Sequence, residues 1–255
     1  GVSALASVGA TGSINFMIIG FCMGVCNGFA IPVAQRFGAR DEHGMRKFVA
    51  NSVWLSIIFA VVMAVLVCVF CRQILELMNT PEDIIDGSYS YIFVIFLGIP
   101  ATYMYNLLSG IMRSLGDSKT PLYLLIFSSI LNIILDLLSI IVLKMGVAGA
   151  AWATVIAQAI SGFCCLGVIW KKFPILHVQR EEWQPDKLCI LNLCNMGIPM
   201  GLQYSITAIG SVIIQAAVNS LGSVAVASVA AAVKINMFLC CPSDAMGSTM
   251  ATYAG

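Results

Sequence analysis

The sequence predicts an all-α, polytopic membrane protein, and three observations support that fold class. Hydrophobic residues make up 60% of the 255-residue chain and charged residues only 10%, unlike the composition of a soluble domain. Long uncharged runs recur along the chain, and a segment near its start is repeated near its end. The uncharged runs cover 1–35, 48–71, 87–112, 145–170 and 188–233. Because roughly 20 apolar residues cross a bilayer, each run is long enough to be a membrane span.

Six complete spans and the start of a seventh follow from the positions of charges and apolar residues. We place the six at about 4–34, 47–71, 88–112, 121–143, 145–170 and 196–218. The seventh begins near residue 222 and is still apolar where the sequence stops. Because the chain has no initiator Met, starts at a helix edge and ends within a helix, we expect a fragment of a longer protein.

Basic residues in the loops predict the orientation of these spans. The loops after the first, third and fifth spans carry ten Lys or Arg residues, whereas those after the second and fourth carry only Arg72 and Lys144. Basic loops are retained in the cytoplasm, so residue 1 is expected outside the cell and the polar segment 171–187 inside. We therefore predict a multi-pass protein of the plasma membrane, with 171–187 as a cytoplasmic linker.

An internal repeat predicts how the helices are grouped. Residues 1–16 and 222–237 are identical at eight of sixteen positions when aligned at an offset of 221 residues. Six spans separate the two copies, and an even number returns the chain to the same side of the membrane. This pattern predicts two six-helix bundles related by a parallel repeat. Residues 1–170 would supply five helices of the N-terminal lobe, and 188–255 would begin the C-terminal lobe with about two helices.

Asp136 is the most informative polar residue inside a span. A carboxylate near the centre of a membrane helix costs about 2.5–3.5 kcal/mol even on a lenient insertion scale, so it predicts a functional site. Asn132 lies one turn before it, and Ser128 and Ser139 extend the same helix face. The alternative is a structural carboxylate that is paired with backbone donors or a basic group.

Three other spans carry polar residues at helical spacing. These residues either form hydrogen bonds between helices or belong to a functional site. They comprise Thr102, Asn106 and Ser109; Thr154, Gln158 and Ser161; and Gln203, Thr207, Ser211 and Gln215. The last span holds Lys234 and Asp244, about 15 Å apart along a helix and so too distant to pair directly. Small residues at four-residue spacing predict close helix packing at Gly20, Gly24 and Gly28, and at Gly146, Ala150 and Thr154.

Several motifs in order give the whole chain a resemblance to one transporter family. They are ALASVG at 4–9, AQRFGARD at 34–41, LMNTPEDI at 77–84, IMRSLGDSKTP at 111–121, NIILD at 132–136, GVAGAAWAT at 146–154 and GIPMGLQ at 197–203. With these motifs the chain resembles the prokaryotic branch of the multidrug and toxic compound extrusion (MATE) family. The resemblance implies twelve helices in two lobes around a central cavity. This sequence would then cover the second to seventh helices and most of the eighth.

The resemblance also implies roles for particular residues. Asp136 and Asn132 match the acid and amide of the family's N-terminal lobe, and Thr154 and Asn106 match the hydroxyl and amide that approach that acid. Some members carry a Glu where this sequence has Thr207, which disfavours a cation site of that type in the second lobe. A substrate cavity would include Gln158, Gln203, Thr207, Lys234 and Asp244.

These observations predict a secondary active antiporter, not an enzyme. It would export organic, cationic compounds in exchange for H⁺ or Na⁺, with Na⁺ as the only metal ion and Asp136 as its ligand. The expected partners are a small organic substrate, the coupling ion and lipid, with no nucleic acid and no cofactor, and the protein would act as a monomer. The alternatives are a lipid-linked oligosaccharide flippase and a non-transporting membrane scaffold. The chain contains no phosphate-binding glycine loop, nucleophile motif or ion-channel filter motif, which disfavours a pump, a hydrolase and a channel.

Overall fold

The described part of the chain is helical and contains no β-strand, which confirms the predicted fold class. The computed structural model describes residues 2–77, 82–219 and the short stretches 235–236, 239–243, 245–247 and 249–250. The first four helices are α1 (Val2–Gly38), α2 (Glu42–Val69), α3 (Cys71–Leu77) and α4 (Glu82–Leu97). They are followed by α5 (Ile99–Ser114), α6 (Lys119–Leu137), α7 (Gly146–Lys172) and α8 (Lys187–Asn219). A π-helix, Leu138–Val142, continues α6, and a 3₁₀ turn, Pro174–Leu176, follows α7.

Among the described residues, four helices are long and apolar enough to cross a membrane, and a bent helix pair makes a possible fifth. The four are Thr11–Gly38, Glu42–Val69, Lys119–Val142 and Gly146–Lys172, which confirm the first, second, fourth and fifth predicted spans. The sixth predicted span, 196–218, lies within the 33-residue helix α8, which is not one of these four helices. The seventh predicted span and the second copy of the repeat fall almost entirely outside the described residues.

The third predicted span, 88–112, coincides with the bent helix pair and is not one continuous helix. It is divided into α4 and α5, which meet at Gly98 with a bend of 45°. Pro100 lies at the start of α5 and has no N–H to continue the hydrogen-bond ladder of α4. A Cβ on Gly98 would collide with the side chain of Val155 on α7, so the bend occurs at a close contact between the two helices.

Asp117, which precedes α6, caps that helix and ties it to the end of α7. Its carboxylate accepts hydrogen bonds from Thr120 N at 3.0 Å and from Lys172 Nζ at 2.6 Å. The Lys172 ammonium and the Thr120 donors hold the pKa of Asp117 well below its usual value. We name this end of the bundle, where residues 38–42, 114–119 and 172–187 meet, the linker end.

Helices α1 and α8 form the most extensive packing contact in the described chain, and glycines make it possible. A Cβ on Gly28 would lie 2.5 Å from Gly197 Cα, and one on Gly24 would lie 2.8 Å from Gly201 Cα. The predicted close packing at Gly20, Gly24 and Gly28 is therefore confirmed, with α8 as the partner. The corresponding prediction at Gly146 is wrong. Its φ is +63°, and a Cβ added there would meet no atom within 4 Å.

The remaining helices arrange around α1 and α7. Helix α1 packs on α2, α4 and α5 as well as α8, while α7 packs on α4, α5 and α6. Helix α6 lies at the edge and exposes most of its apolar side chains, as expected for a surface that faces lipid. A cavity of about 360 Å³ opens at the linker end between α1, α2 and α8, lined in part by Arg36, Lys47 and Asn192.

Candidate functional site

Asp136 lies near the end of α6 that is remote from the linker end, directly before the π-helical segment. At 1.5 Å per residue it is about 25 Å along the axis from Lys119. The side chain is half-buried, and its Oδ1 atom is buried without a hydrogen-bond partner among the described residues. Such an oxygen is costly to bury unless a cation, a proton or a polar group satisfies it. Widened π-helical turns occur frequently at functional sites, and Leu138–Val142 follows Asp136 closely.

The polar face of α6 packs on α7. Ser128 Oγ donates to the carbonyl oxygen of Ala157 at 3.4 Å, and Asn132 Nδ2 donates to Thr154 Oγ1 at 3.3 Å. Further along, Ser139 lies against Gly149, where an added Cβ would be 3.0 Å from Ser139 Cβ. This antiparallel register places Asp136 between Asn132 and Ser139, on the same face.

The hydroxyl of Thr154 has a defined orientation. It donates to Ala150 O at 3.0 Å within α7, so its lone pairs remain available to accept from Asn132. Asn132 is thereby held with its amide nitrogen toward α7. Asn132 and Asp136 are four residues apart on α6, which is about one helical turn. Carboxylate, amide and hydroxyl oxygens together suit a small hard cation or a proton.

Asn106 belongs to a neighbouring network rather than to a direct contact with Asp136. Its Nδ2 donates to Thr102 O at 2.8 Å, and Thr102 Oγ1 donates to Gln158 Oε1 at 2.6 Å. Gln158 and Thr154 lie one turn apart on α7. Helix α7 therefore presents Gln158 to α5 and Thr154 to α6. These contacts join the predicted polar stripe of α7 to those of α5 and α6.

The predicted second-lobe residues are not brought to this cluster. Gln203 and Thr207 are exposed on α8, whose main packing partners in the described chain are α1 and α2. Thr207 Oγ1 donates within its own helix to Gln203 O at 2.8 Å. Lys234 and Asp244 lie outside the described residues.

Tyr91 on α4 is a site residue that the sequence analysis missed. It is half-buried, packs against the buried cluster of Val94, Ile95 and Ala151, and lies close enough to Asp136 for an electrostatic interaction. Its signal in the sequence was weak, because a tyrosine in an apolar run also suits a lipid interface. Helix α4 packs on α7, which also packs on α6.

Apolar spans, a half-buried polar cluster between α5, α6 and α7, and an intramembrane acid define a polytopic helical membrane protein with a candidate site among its helices. The MatE family profile matches residues 1–138. The probable multidrug resistance protein YoeA of Bacillus subtilis (strain 168) is 30% identical over 264 residues, which cover 100% of this chain and 56% of that protein. The chain belongs to the MatE family.

Solved structures share this fold. An outward-facing multidrug resistance MATE family transporter matches with a TM-score of 0.89 at 24% identity, covering 99% of this chain and 56% of that one. An inward-facing structure of such a transporter matches with a TM-score of 0.81 at 24% identity, covering 98% and 57%. The chain spans a little over half the length of the relatives that it matches most fully.

Proposed function

We propose that this chain is part of a secondary active antiporter that exports organic, cationic drugs or toxic compounds in exchange for H⁺ or Na⁺. The observation that carries the proposal is the half-buried Asp136 carboxylate, which has an unsatisfied oxygen inside a polar cluster. The names of relatives support drug export, since one is a probable multidrug resistance protein and another a multidrug export protein, MepA of Staphylococcus saprophyticus. The cationic class of the substrate and the coupling ion are parts of this proposal.

In this mechanism Asp136 binds the coupling ion. A proton or Na⁺ neutralises a charge that is expensive within the membrane, and the oxygens of Asn132 and Thr154 complete the ligand set for Na⁺. The ion and the substrate are coupled if each binds two conformations of the lobes with different affinity. Asn106, Thr102 and Gln158 keep α5 and α7 in register beside the site.

The proposal includes a topology and an architecture. Residues 1–170 would form most of the N-terminal lobe, 171–187 would be a cytoplasmic linker, and 188–255 would begin the C-terminal lobe. The protein would lie in the plasma membrane as a monomer and would alternate between outward and cytoplasmic openings.

The test is efflux by the full-length protein, with the H⁺ and Na⁺ gradients collapsed separately. We expect Asp136→Asn to lower efflux at least tenfold, to near background, while membrane abundance and thermal stability remain close to wild type. Asn132→Ala and Thr154→Ala should give intermediate losses, because each removes one oriented oxygen rather than the charge. Ser129→Ala, an exposed hydroxyl on the same helix, is the matched control and should transport normally.

Two results would contradict the proposal. Full gradient-dependent efflux by Asp136→Asn would remove the coupling role. Loss of folded protein in proportion to loss of activity would instead make the acid a structural group. A flippase would be indicated by movement of a lipid-linked sugar that does not depend on Asp136, and a scaffold by the absence of any transport in the wild type.

A further inference from the structure

The segment between α7 and α8, which the sequence predicts to be a polar cytoplasmic linker, is docked on α2. Glu182 lies at the centre of this contact, and its side chain is only 1% exposed. Arg46 Nε lies 2.9 Å from both Glu182 carboxylate oxygens, and His43 Nδ1 lies 2.9 Å from Oε1. A carboxylate buried to this degree is stable only when it is paired and hydrogen-bonded, and Glu182 meets both conditions.

The same face of α2 binds the rest of the segment. Asn51 Oδ1 accepts a hydrogen bond from Asp186 N at 3.0 Å. Trp54 Nε1 donates to Trp183 O at 3.2 Å, and the two indole rings meet edge to face at 6.4 Å. The α2 residues at 43, 46, 51 and 54 lie on one side of the helix, because each residue advances about 100° around the axis. The helix therefore offers a continuous track for the segment from Glu182 to Asp186.

The carboxyl group of Glu182 carries the negative charge that an ion pair with Arg46 requires. Burial raises the pKa of its carboxyl group, but hydrogen bonds from Gln179 N, Arg46 and His43 outweigh burial and leave the pKa below its ordinary value. Glu182 is therefore ionised at neutral pH, and the ion pair with Arg46 is present. Arg46 also lies 3.6 Å from Glu42, which keeps the guanidinium group near the start of α2.

The docked segment determines where α8 begins. Only four residues, 183–186, separate Glu182 from Lys187, the first residue of α8. Fully extended, the five steps from Glu182 to Lys187 reach about 17 Å, and the bond from Asp186 to Asn51 shortens that reach. While Glu182 is bound, the start of α8 cannot move far from the start of α2.

We propose that Glu182, Arg46 and His43 form an ionic latch that fastens α8 to α2 in this conformation and opens when the two lobes separate at the linker end. The proposal rests on the alternating access of the proposed function. A buried ion pair between two parts that must separate gives two discrete arrangements, one bound and one solvated, which is what a conformational switch requires. The glycine contact between α1 and α8 continues the closed interface further into the membrane.

The test measures the separation of α1 and α8 in the full-length protein reconstituted into bilayers. Spin labels are attached at Gly38 and Leu188, both exposed at the linker end, in a background from which the native cysteines have been removed. Double electron–electron resonance then reports the populations of short and long distances. We expect Glu182→Gln to raise the ratio of the long-distance to the short-distance population at least tenfold.

The controls separate the latch from a general loss of charge or of fold. Glu181→Gln removes the same charge from the exposed neighbouring residue and should leave the distances unchanged. His43→Gln should shift the ratio less than Glu182→Gln, since the imidazole is 63% exposed. The double variant Arg46→Gln/Glu182→Gln should shift the ratio no further than the larger single change, because both break one ion pair.

The proposal is overturned if Glu182→Gln gives distance distributions that superimpose on those of the wild type. If that variant does not reach the membrane, Arg46→Lys keeps the charge but loses the two-oxygen contact, and unchanged distances there would equally overturn the proposal. The measurement needs neither substrate nor gradient. If the Asp136 efflux test fails, the distance measurement still tests the latch. If the latch test fails, the efflux assay still tests the role of Asp136.

Discussion

Replacing Gly28 with Ala adds one methyl group at the point where α1 and α8 come closest. The new Cβ would lie 2.5 Å from Gly197 Cα and 2.7 Å from Met196 O. Both neighbours are backbone atoms, so no side-chain rotation can relieve the overlap. Because carbon atoms pack at about 3.5–4.0 Å, the two helices must separate by about 1 Å along the crossing.

Two opposing terms give the expected magnitude. Overpacking of a close contact costs about 1–3 kcal/mol. Replacing Gly with Ala inside a helix contributes about 1 kcal/mol of stability, because Gly loses more backbone entropy on folding. The net change at Gly28 is a destabilisation of up to about 2 kcal/mol. A Cβ added at Gly12, in the same helix, would meet no atom within 4 Å. Gly12→Ala therefore keeps the entropic gain in stability and has no overlap to oppose it.

The assay compares thermal unfolding of the full-length Gly12→Ala and Gly28→Ala proteins in the same detergent. We expect Gly12→Ala to unfold at or above the wild-type temperature and Gly28→Ala below it. Gly24→Ala should behave like Gly28→Ala, because its Cβ would lie 2.6 Å from Met200 O. The double variant should cost less than the sum of the singles, since helices that have already separated accommodate a second methyl group.

Equal unfolding temperatures for Gly12→Ala and Gly28→Ala would refute this reasoning. They would mean that α1 and α8 are not in backbone contact in the folded protein. A lower temperature for Gly12→Ala alone would refute it equally, and would place a packing partner at the other end of α1.

Further predictions concern two contacts of α7 and the topology. The Lys172 ammonium holds the pKa of Asp117 below its usual value, so the stability that this ion pair contributes is complete above about pH 4 and is lost as pH falls through the lower, folded pKa. Asp117→Asn should therefore cost about 1–2 kcal/mol at pH 7, and the deficit in unfolding temperature should vanish in strong acid. Thr102→Val should cost about 1–3 kcal/mol, because it leaves Gln158 Oε1 without its donor, whereas Thr102→Ser should cost less; equal unfolding temperatures for the two would contradict that bond. A single cysteine at exposed Gln184 should react with an impermeant maleimide only after permeabilisation, and reaction in intact cells would reverse the topology.

The membrane spans could be predicted because each depends on the summed hydropathy of a short, continuous segment. Each of the four confirmed spans is a run of apolar side chains bounded by charges, and the cost of placing a backbone segment in hydrocarbon does not depend on its neighbours. The α6 stripe from Ser128 to Ser139 was readable for a related reason. Helical periodicity places these residues on one face, and polar atoms on that face need a protein partner.

Residue-level errors arose where one local signal had two meanings. The apolar run at 88–112 predicts a span but does not show its break, and the structure bends by 45° at Gly98, where an added Cβ would overlap the side chain of Val155. Gly146 fitted a small-residue packing pattern, but it is used for its positive φ at the turn into α7. Spacing alone does not distinguish a glycine that packs from a glycine that turns.

The sequence by itself determined the solvent, the helices and the identity of the intramembrane acid, because hydropathy and periodicity are properties of short segments. Only the tertiary structure decided which faces meet. The glycines of α1 could have packed on any helix until Gly197 and Gly201 of α8 were seen against them. Glu182 lies in a segment that the sequence identifies only as a polar linker, and the structure shows that it is buried against Arg46, which is 136 residues away in the chain. Such pairings depend on the approach of distant segments, which no local pattern encodes.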